Sequence, residues 1–419
     1  MSALPFDDGW SRRRGLVPAH SLQRAFLFAL TGSSFVAFIE PSPYEVMFVV
    51  CALVFVATGL KMVREVTLLL GLLLAYNIGG LFSLLPFFDE TKPVMFVAIS
   101  FYLGVTAIFI ALAMQEDTSG RLRALEAGYI LAALLASLAA MIGFFDIAGL
   151  GDRLTRYDGT RASGTFKDPN VLGPFLVLPA VFIVQRLLTG ATKRFLLGTA
   201  MLGFVTVGLL LTFSRGAWGV FALATLMVVG LNFIVSRTGR MRARIVFFMA
   251  LGVAAMIAAL AIALSFDKVS EMLEARASFS QSYDSGETGR FGLQKRSIPI
   301  LLESPNGMGP LQFGRIMGAD PHNVYINGFA AYGWLGGWAY LALIATTLVV
   351  GWRGVFQRTP WQPWFIPIWA TLFPHIVQGL QIDSDHWRHF WLLLGLTWGL
   401  AIANERWLRS CARMGAVTA

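Results

Sequence analysis

The sequence predicts an all-α polytopic membrane protein of about twelve transmembrane helices. Of its 419 residues 56% are hydrophobic, the mean hydropathy is +0.65, and only 14% are charged. Soluble domains carry about 25% charged residues, so a chain this poor in charge must present apolar side chains to lipid. We therefore expect a single integral-membrane domain over residues 1–419. The two cysteines, Cys51 and Cys411, have neither the number nor the spacing of a disulfide framework, a zinc site or a haem motif.

Twelve apolar stretches are long enough to be membrane-spanning helices. Crossing the roughly 30 Å of hydrocarbon takes about 20 predominantly apolar residues. The stretches lie near residues 24–39, 44–60, 66–88, 93–114, 124–147, 171–188, 194–212, 216–235, 244–264, 323–350, 362–380 and 387–405. The topology depends most on two shorter stretches, 24–39 and 194–212, because the loss of either would invert every later segment.

The distribution of positive charge predicts that both termini are cytoplasmic. With the N-terminus inside, every inside segment holds at least two lysines or arginines, and together they hold 20 of the 33. Ten of the others lie in two long outside loops, 148–170 and 265–322. This is the positive-inside pattern, and it explains the net charge of +9 without nucleic-acid binding. The start, MSALPFDDGWSRRRG, has the features of a retained cytoplasmic tail and not of a cleaved signal.

The two long loops are expected on the periplasmic face, with 265–322 capping the active site. In the second loop, SFDKVSEMLEARASF and RFGLQKRSIPILLE have helical composition, and QSYDSGETG between them is typical of a flexible polar turn. The Pro/Gly-rich segment SPNGMGP then directs the chain back toward the membrane.

Four outer segments carry the arginines that could form an anion site. They are RASGTFKDPNVLG (161–173), TFSRGAWG (212–219), TGRFGLQKR (288–296) and DPHNVYINGFAAYGWLGG (320–337). Arg215 lies between two apolar helices, where a guanidinium near hydrocarbon is costly. Its planar fork of donors suits phosphate oxygens, with Arg161, Arg290 and Arg296 as supplementary cations. The alternative is that Arg215 only extends its charge to the interface and that the other three are solvated loop residues.

His322 is the candidate catalytic residue, because an imidazole with a pKa near 6.5 is the usual proton acceptor at neutral pH. Asn323 can cap the helix that follows, and a purely structural histidine is the alternative. The loop QIDSDHWRHFW (381–391) adds Asp383 and Asp385, one of which could orient His322 or pair with Arg215. Its histidines and acids lack helical metal-ligand spacing, so no metal is predicted. The glycines after His322 indicate close helix packing and match no nucleotide-binding fingerprint.

These motifs resemble the O-antigen ligase and polymerase superfamily of integral-membrane glycosyltransferases. The resemblance covers roughly residues 160–340, with topology alone supporting the rest. It is carried by Gly164-Thr-Phe with Pro169-Asn170, by Ser214-Arg215-Gly216, by Gly289-Arg290 with Pro305 and Gly307-Met-Gly309, and by His322-Asn323-Val-Tyr325 with Gly333 and Gly336.

The resemblance implies inverting transfer of a glycan from undecaprenyl diphosphate to a sugar hydroxyl at the periplasmic face of the bacterial inner membrane, with no metal, nucleotide or other cofactor. Arg215 and Arg290 would bind the diphosphate, and His322 would deprotonate or orient the acceptor hydroxyl. Asn170, Asn323, Asp383 and Asp385 would support the site. The partners would be the lipid-linked donor, membrane lipid, and lipid A-core or a second lipid-linked glycan as acceptor.

Three alternatives to an O-antigen ligase remain. A polymerase is favoured by an arginine followed after ten residues by a glycine, which occurs from Arg153 to Gly164 and from Arg296 to Gly307. The compact length and single large outer loop favour the ligase. A transporter would place charges at mid-membrane, whereas Arg186 and Glu126 lie near helix ends. The third alternative is a non-catalytic assembly scaffold.

Overall fold

The computed structural model describes residues 18–157, 159–190, 195–263, 265 and 289–417. These residues form α-helices joined by short loops, with one two-stranded hairpin. In chain order the helices are α1 (Ala19–Gly32), α2 (Pro43–Thr58), α3 (Thr67–Leu84), α4 (Thr91–Ala113), α5 (Thr118–Phe144), α6 (Gly151–Leu154), α7 (Pro169–Thr189), α8 (Phe195–Leu210), α9 (Arg215–Val235), α10 (Gly239–Ala263), α11 (Arg290–Leu302), α12 (Phe313–Met317), α13 (Val324–Phe356), α14 (Gln362–Gln378) and α15 (Arg388–Val417).

Each of the twelve predicted stretches overlaps one of these helices, although α1 ends at Gly32, well before the predicted end of the first stretch at residue 39. Six helical segments of the described chain are long and apolar enough to cross a membrane: Arg64–Phe87 around α3, α4, α5, α7, α9 and α13. Helices α2 and α8 are apolar but shorter. The chain is therefore a multi-pass helical protein, as predicted, while twelve crossings and cytoplasmic termini stay predictions. The N-terminal tail and the predicted helix and polar turn over 266–288 lie outside the described residues.

Several helices begin with sequence-encoded caps that fix where the chain enters the bundle. At the start of α2 the side chain of Glu45 accepts from the amide of Ser42, the residue before the helix. Asp168 accepts from the amide of Asn170 at 2.6 Å, with a proline at the first position of α7. Ser214 caps α9, and Asn323 caps α13 by accepting from the amides of residues 325 and 326. The polar residues found before these apolar runs thus satisfy backbone donors that have no intrahelical partner.

Ion pairs and hydrogen bonds define two ends of the bundle. One end, which we call the His322 end, contains the loops around residues 33–42, 85–90, 145–168, 211–214, 318–323 and 379–387. It is tied together by pairs between Lys167 and Glu40, Arg388 and Glu45, and Arg315 and Glu90. The opposite end contains the loops around 59–66, 114–117 and 357–361, tied by pairs such as Arg24 with Asp117 and Arg409 with Glu65. The alternation matches an up-and-down bundle.

Helix α13 packs closely on α3 through glycines, as its glycine-rich sequence indicated. A Cβ on Gly79 of α3 would lie 2.4 Å from the amide nitrogen of Gly336. Beside this contact the rings of Tyr76 and Tyr332 stack at 4.2 Å. Helix α13 is kinked at Gly333, whose φ of +64° favours glycine. The carbonyl of Pro305 accepts from the amide of residue 334 at 2.8 Å, so the SPNGMGP segment packs against the kink.

The 148–170 segment contains a hairpin that its composition did not predict. Strands β1 (Thr155–Arg156) and β2 (Arg161–Ala162) pair antiparallel, with Thr155 opposite Ala162. The amide of Ala162 also donates to the carbonyl of Leu211 at 2.9 Å. The hairpin is thereby attached to the turn between α8 and α9.

Candidate active site

His322 lies in the loop immediately before α13 and is held in an unusual backbone conformation. Its φ is +45°, in the left-handed region that few non-glycine residues occupy. Its side chain is 48% exposed, and Nδ1 lies 3.7 Å from Oδ2 of Asp383. That distance is an ion-pair contact, longer than a hydrogen bond. The ring is thus about half exposed and faces a carboxylate.

Asp383 is anchored to the same segment from the loop between α14 and α15. Its Oδ1 accepts from the amide of Asn323 at 3.0 Å. Burial raises the pKa of this carboxyl, nearby Asp385 and Asp320 raise it as well, and the amides of Asn323 and His322 lower it, so that the net pKa is about 7. A carboxyl with that pKa can take up or release a proton near neutral pH. The expectation that an acid accompanies His322 fits this geometry.

Asp385 connects the loop between α14 and α15 to α13 and also contacts a histidine of that loop, His386. Its Oδ2 accepts from Nδ2 of Asn327 at 3.2 Å and lies 3.1 Å from Nδ1 of His386. Nε2 of His386 contacts the carbonyl of Phe96 at 3.0 Å. Burial lowers the pKa of His386, but the charge and hydrogen bond of Asp385, the carbonyl of Phe96 and the charge of Asp383 together outweigh it, and the pKa is raised above its usual value. Asp385 therefore orders the loop that carries Asp383.

Arg215 is the first residue of α9, directly after a strained turn. Phe213 has a φ of +45°, which a bulky residue adopts only when its surroundings impose it. The amide of Ser214 donates to Oγ1 of Thr212 at 3.3 Å, and its hydroxyl caps the helix. The turn places Arg215 at the His322 end, where the positive end of the α9 dipole also favours an anion.

The Arg215 turn and the His322 segment meet at the end of α14. A Cβ on Gly216 would lie 2.8 Å from Nε2 of Gln378, so the first turn of α9 packs directly on that side chain. The next residue, Gly379, accepts through its carbonyl from the amide of Val324 at 2.8 Å. The C-terminus of α14 therefore holds the cationic turn on one side and the start of α13 on the other.

Arg161 and Asn170 brace this turn. Nε of Arg161 donates to the carbonyl of Thr212 at 2.9 Å, and a terminal nitrogen donates to Oδ1 of Asn170 at 2.8 Å. The guanidinium also lies over the ring of Tyr157, 5.2 Å from its centroid. Arg161 is only 6% exposed. A direct contact between Arg161 and a diphosphate stays a prediction, and the observed contacts join Arg161 to the turn that precedes Arg215.

Helix α11 is attached to the His322 segment through Gln294. Its Nε2 donates to the carbonyl of Pro321 at 2.9 Å, and its Oε1 accepts from Nδ2 of Asn323 at 3.4 Å. Arg290 begins this helix, four residues earlier. Arg296, two residues after Gln294, is exposed. The structure thus brings α11, the helix that carries Arg290 and Arg296, next to the His322 segment.

Sequence reasoning missed three amide side chains: Gln294, Asn327 and Gln378. Gln294 and Asn327 join segments that are distant in the chain through hydrogen bonds, Gln378 packs against the first turn of α9, and none of the three is charged. Gln294 does lie inside the TGRFGLQKR segment, and a polar residue in an otherwise buried position is the one signal that could have identified it.

Comparison with known families supports the resemblance. Residues 200–341, about a third of the chain, match the family model described as O-antigen ligase. The matched range contains the Arg215 turn, α11, His322, Asn323 and the kink of α13. It indicates a ligase- or polymerase-type glycosyltransferase acting on lipid-linked glycans in a membrane. No curated protein matches the chain.

Proposed function

We propose that this protein transfers a glycan from undecaprenyl diphosphate to a sugar hydroxyl of lipid A-core, at the periplasmic face of the inner membrane and without a metal or nucleotide. The observation that carries the proposal is the convergence of the Arg215 turn, the His322 segment and Asp383 around the C-terminus of α14. A cation at a helix start and a histidine backed by an acid are the two groups that such a transfer needs.

The leaving group of the reaction is a diphosphate, whose charge increases as the bond to the sugar breaks. Arg215 would stabilise this charge through charge-assisted hydrogen bonds, helped by the N-terminus of α9. Arg290 and Arg296 on α11 would supply further positive charge. Arg161 would act mainly by holding the turn, through its bonds to Thr212 and Asn170.

The attacking group is a hydroxyl, which must lose its proton as it attacks. His322 would accept this proton, and the Asp383 carboxylate would stabilise the imidazolium that forms. The acceptor oxygen attacks the anomeric carbon as the diphosphate leaves, so one displacement inverts that carbon. Asn323 supports the geometry because its amide binds Asp383 while its side chain caps α13.

Polymerase activity is the alternative function. The spacings from Arg153 to Gly164 and from Arg296 to Gly307 favoured it, but both glycines have structural explanations. Gly164 has a φ of +52°, and a Cβ there would lie 3.1 Å from the carbonyl of Ala136. Gly307 has a φ of +75°, and a Cβ there would lie 2.6 Å from the carbonyl of Ala330. Backbone geometry alone requires glycine at both positions, so the spacing adds little support for a polymerase, and we favour the ligase.

The decisive experiment is reconstitution of the purified full-length protein in liposomes with undecaprenyl diphosphate glycan. One sample receives lipid A-core and the other receives only more donor. A ligase yields a product at the size of lipid A-core plus glycan in the first sample alone. A ladder of longer lipid-linked glycans in the second sample would identify a polymerase. Passage of the donor across the bilayer with no new glycosidic bond would overturn both readings in favour of a transporter.

A further inference from the structure

A cavity of about 740 Å³ lies at the His322 end, enclosed by α1, α2, α4, α5, α7 and α15. Its volume falls in the range of about 300–1,000 Å³ that is typical of small-molecule sites. Among the described residues, neither Arg215 nor His322 nor Asp383 lines it. Loop 379–387 separates the two places: His386 and Trp387 form part of the cavity wall, whereas Asp383 faces His322.

Aromatic side chains dominate the cavity wall. Besides the imidazoles of His386 and His389, six rings line it, from Tyr44, Tyr102, Tyr129, Phe166, Phe175 and Trp387. Flat rings of this kind pack well against the C–H faces of sugars, and tyrosine and tryptophan also carry a polar group at the edge of the ring. The wall therefore suits a ligand with apolar faces and polar edges.

The charged groups at the cavity are balanced in sign. Glu45 pairs with Arg388, and Glu40 pairs with Lys167, so the two acids and the two bases cancel. A diphosphate would prefer an excess of positive charge, as at the Arg215 turn. Carboxylates accept hydrogen bonds and cations donate them, whereas each hydroxyl does both. A neutral ligand rich in hydroxyl groups matches this mixture of donors and acceptors.

We propose that this cavity binds sugar residues of the glycan substrate, a proposal that rests on the proposed function. Loop 379–387 would couple the cavity to the contact between His322 and Asp383. Asp385 bonds Asn327 on α13 and contacts His386 in the cavity wall, while Asp383 contacts His322. A saccharide held against His386 would stabilise the loop conformation in which Asp383 supports the base.

A lipid tail is the competing occupant. Met95, which lines the cavity, is 52% exposed, so hydrocarbon could reach it from the bilayer. A tail would bring hydrocarbon against the Glu45–Arg388 pair without forming any hydrogen bond to it, at a cost in desolvation. Hydroxyl groups avoid that cost, and this difference favours the sugar.

The test is saturation-transfer NMR on the full-length protein in nanodiscs, with two soluble probes. One is the oligosaccharide released from the lipid-linked donor, and the other is deacylated core oligosaccharide. Ala98→Phe fills the cavity from α4. Val105→Phe is the matched control, because Val105 is an exposed residue of the same helix outside the cavity. Arg388→Gln is the second cavity variant, in case the first fails to accumulate.

We expect at least one probe to bind the wild type and Val105→Phe equally, and to bind either cavity variant about tenfold more weakly, a difference of about 1.4 kcal/mol. The probe that binds identifies the source of the sugar. Undiminished binding in both cavity variants would overturn the proposal. The same conclusion follows if neither probe binds at millimolar concentration, or if only dihexanoyl phosphatidylethanolamine binds and Ala98→Phe abolishes its binding.

His322→Ala separates this proposal from the proposed function. If both hold, this variant binds the probe normally and transfers no glycan. If it transfers glycan normally while Ala98→Phe still loses the probe, the catalytic assignment fails and the cavity assignment stands.

Discussion

The two ends of the bundle use charged residues in opposite ways. At the opposite end Arg121 is 2% exposed, donates to the carbonyl of Ala113 at 2.7 Å, bonds Gln23 and lies over the ring of Phe55. Glu126 is equally buried there, between Arg186 at 2.5 Å and the indole of Trp364 at 2.9 Å. At the His322 end the ring of His322 is half exposed, and its acid lies at 3.7 Å.

The difference teaches how charge can be read in a membrane protein. A buried charge surrounded by protein partners offsets its own desolvation cost and holds helices together. A charge at a helix start or in a strained loop, with room for a ligand beside it, is available for chemistry. Arg161 is an example of the first kind at the His322 end, since it is enclosed by Thr212, Asn170 and Tyr157. Four predictions test this contrast.

The largest effect is expected for His322→Ala. Loss of a general base typically costs about 10²–10⁴-fold in rate, so we expect kcat for glycan transfer to fall by that factor while the protein accumulates normally. The measurement is product formation in reconstituted liposomes. His20→Ala is the control, because His20 is an exposed histidine on α1 near the opposite end. Normal transfer by His322→Ala would contradict the assignment of the base.

Arg215→Ala should have the next largest effect. Removal of one donor to a developing negative charge costs about 10²–10³-fold, and Arg215→Lys should recover part of it because a lysine keeps the charge without the planar fork. The same liposome assay reports this. Arg315→Ala is the control, since Arg315 is an exposed arginine at the same end that pairs with Glu90. Equal losses of activity in Arg215→Ala and Arg315→Ala would mean that Arg215 acts only through the net positive charge of this end, and not as a specific diphosphate ligand.

The opposite end should respond in stability and not in catalysis. Arg186→Ala leaves Glu126 buried without its cation, which costs about 3 kcal/mol. We expect a lower Tm with unchanged turnover per folded molecule. Lys61→Ala breaks a pair with Glu116 at 3.4 Å whose side chains are 43% and 32% exposed, and such pairs are worth about 0–1 kcal/mol. Thermal unfolding followed by intrinsic fluorescence distinguishes the two. A turnover defect in Arg186→Ala would instead link the opposite end to catalysis.

The helices could be predicted from the sequence because a chain in lipid must satisfy its backbone internally, so each long apolar stretch becomes a helix. Caps such as Asn323 were predictable for the same local reason. The contact between His322 and Asp383 was foreseen only as one of several pairings, because it joins residues 61 apart whose approach depends on how α13 and α14 pack. The hairpin of β1 and β2 and the φ of Phe213 likewise depend on tertiary contacts that no local pattern reveals.

The smallest effect concerns pH and Asp383. Because the pKa of this carboxyl is raised to about 7, it gains a proton as the pH falls through 7 and can no longer stabilise the His322 imidazolium. We expect kcat to fall about tenfold from pH 8 to pH 6, since a group with a pKa of 7 is about one-tenth ionised one unit below it. In Asp383→Asn the activity should be low, and the part of the pH dependence due to Asp383 should be absent.

Thermal stability should change in the other direction over the same range. A carboxyl whose pKa is higher in the folded than in the unfolded state binds its proton more tightly when folded. Its stabilising contribution is therefore complete below the unfolded pKa and is lost as the pH rises through 7. The wild type should gain Tm relative to Asp383→Asn between pH 8 and pH 6, while its activity falls. If activity and Tm fall together in the wild type and equally in the variant, the titrating group is not Asp383. A different group at the His322 end then takes up the proton.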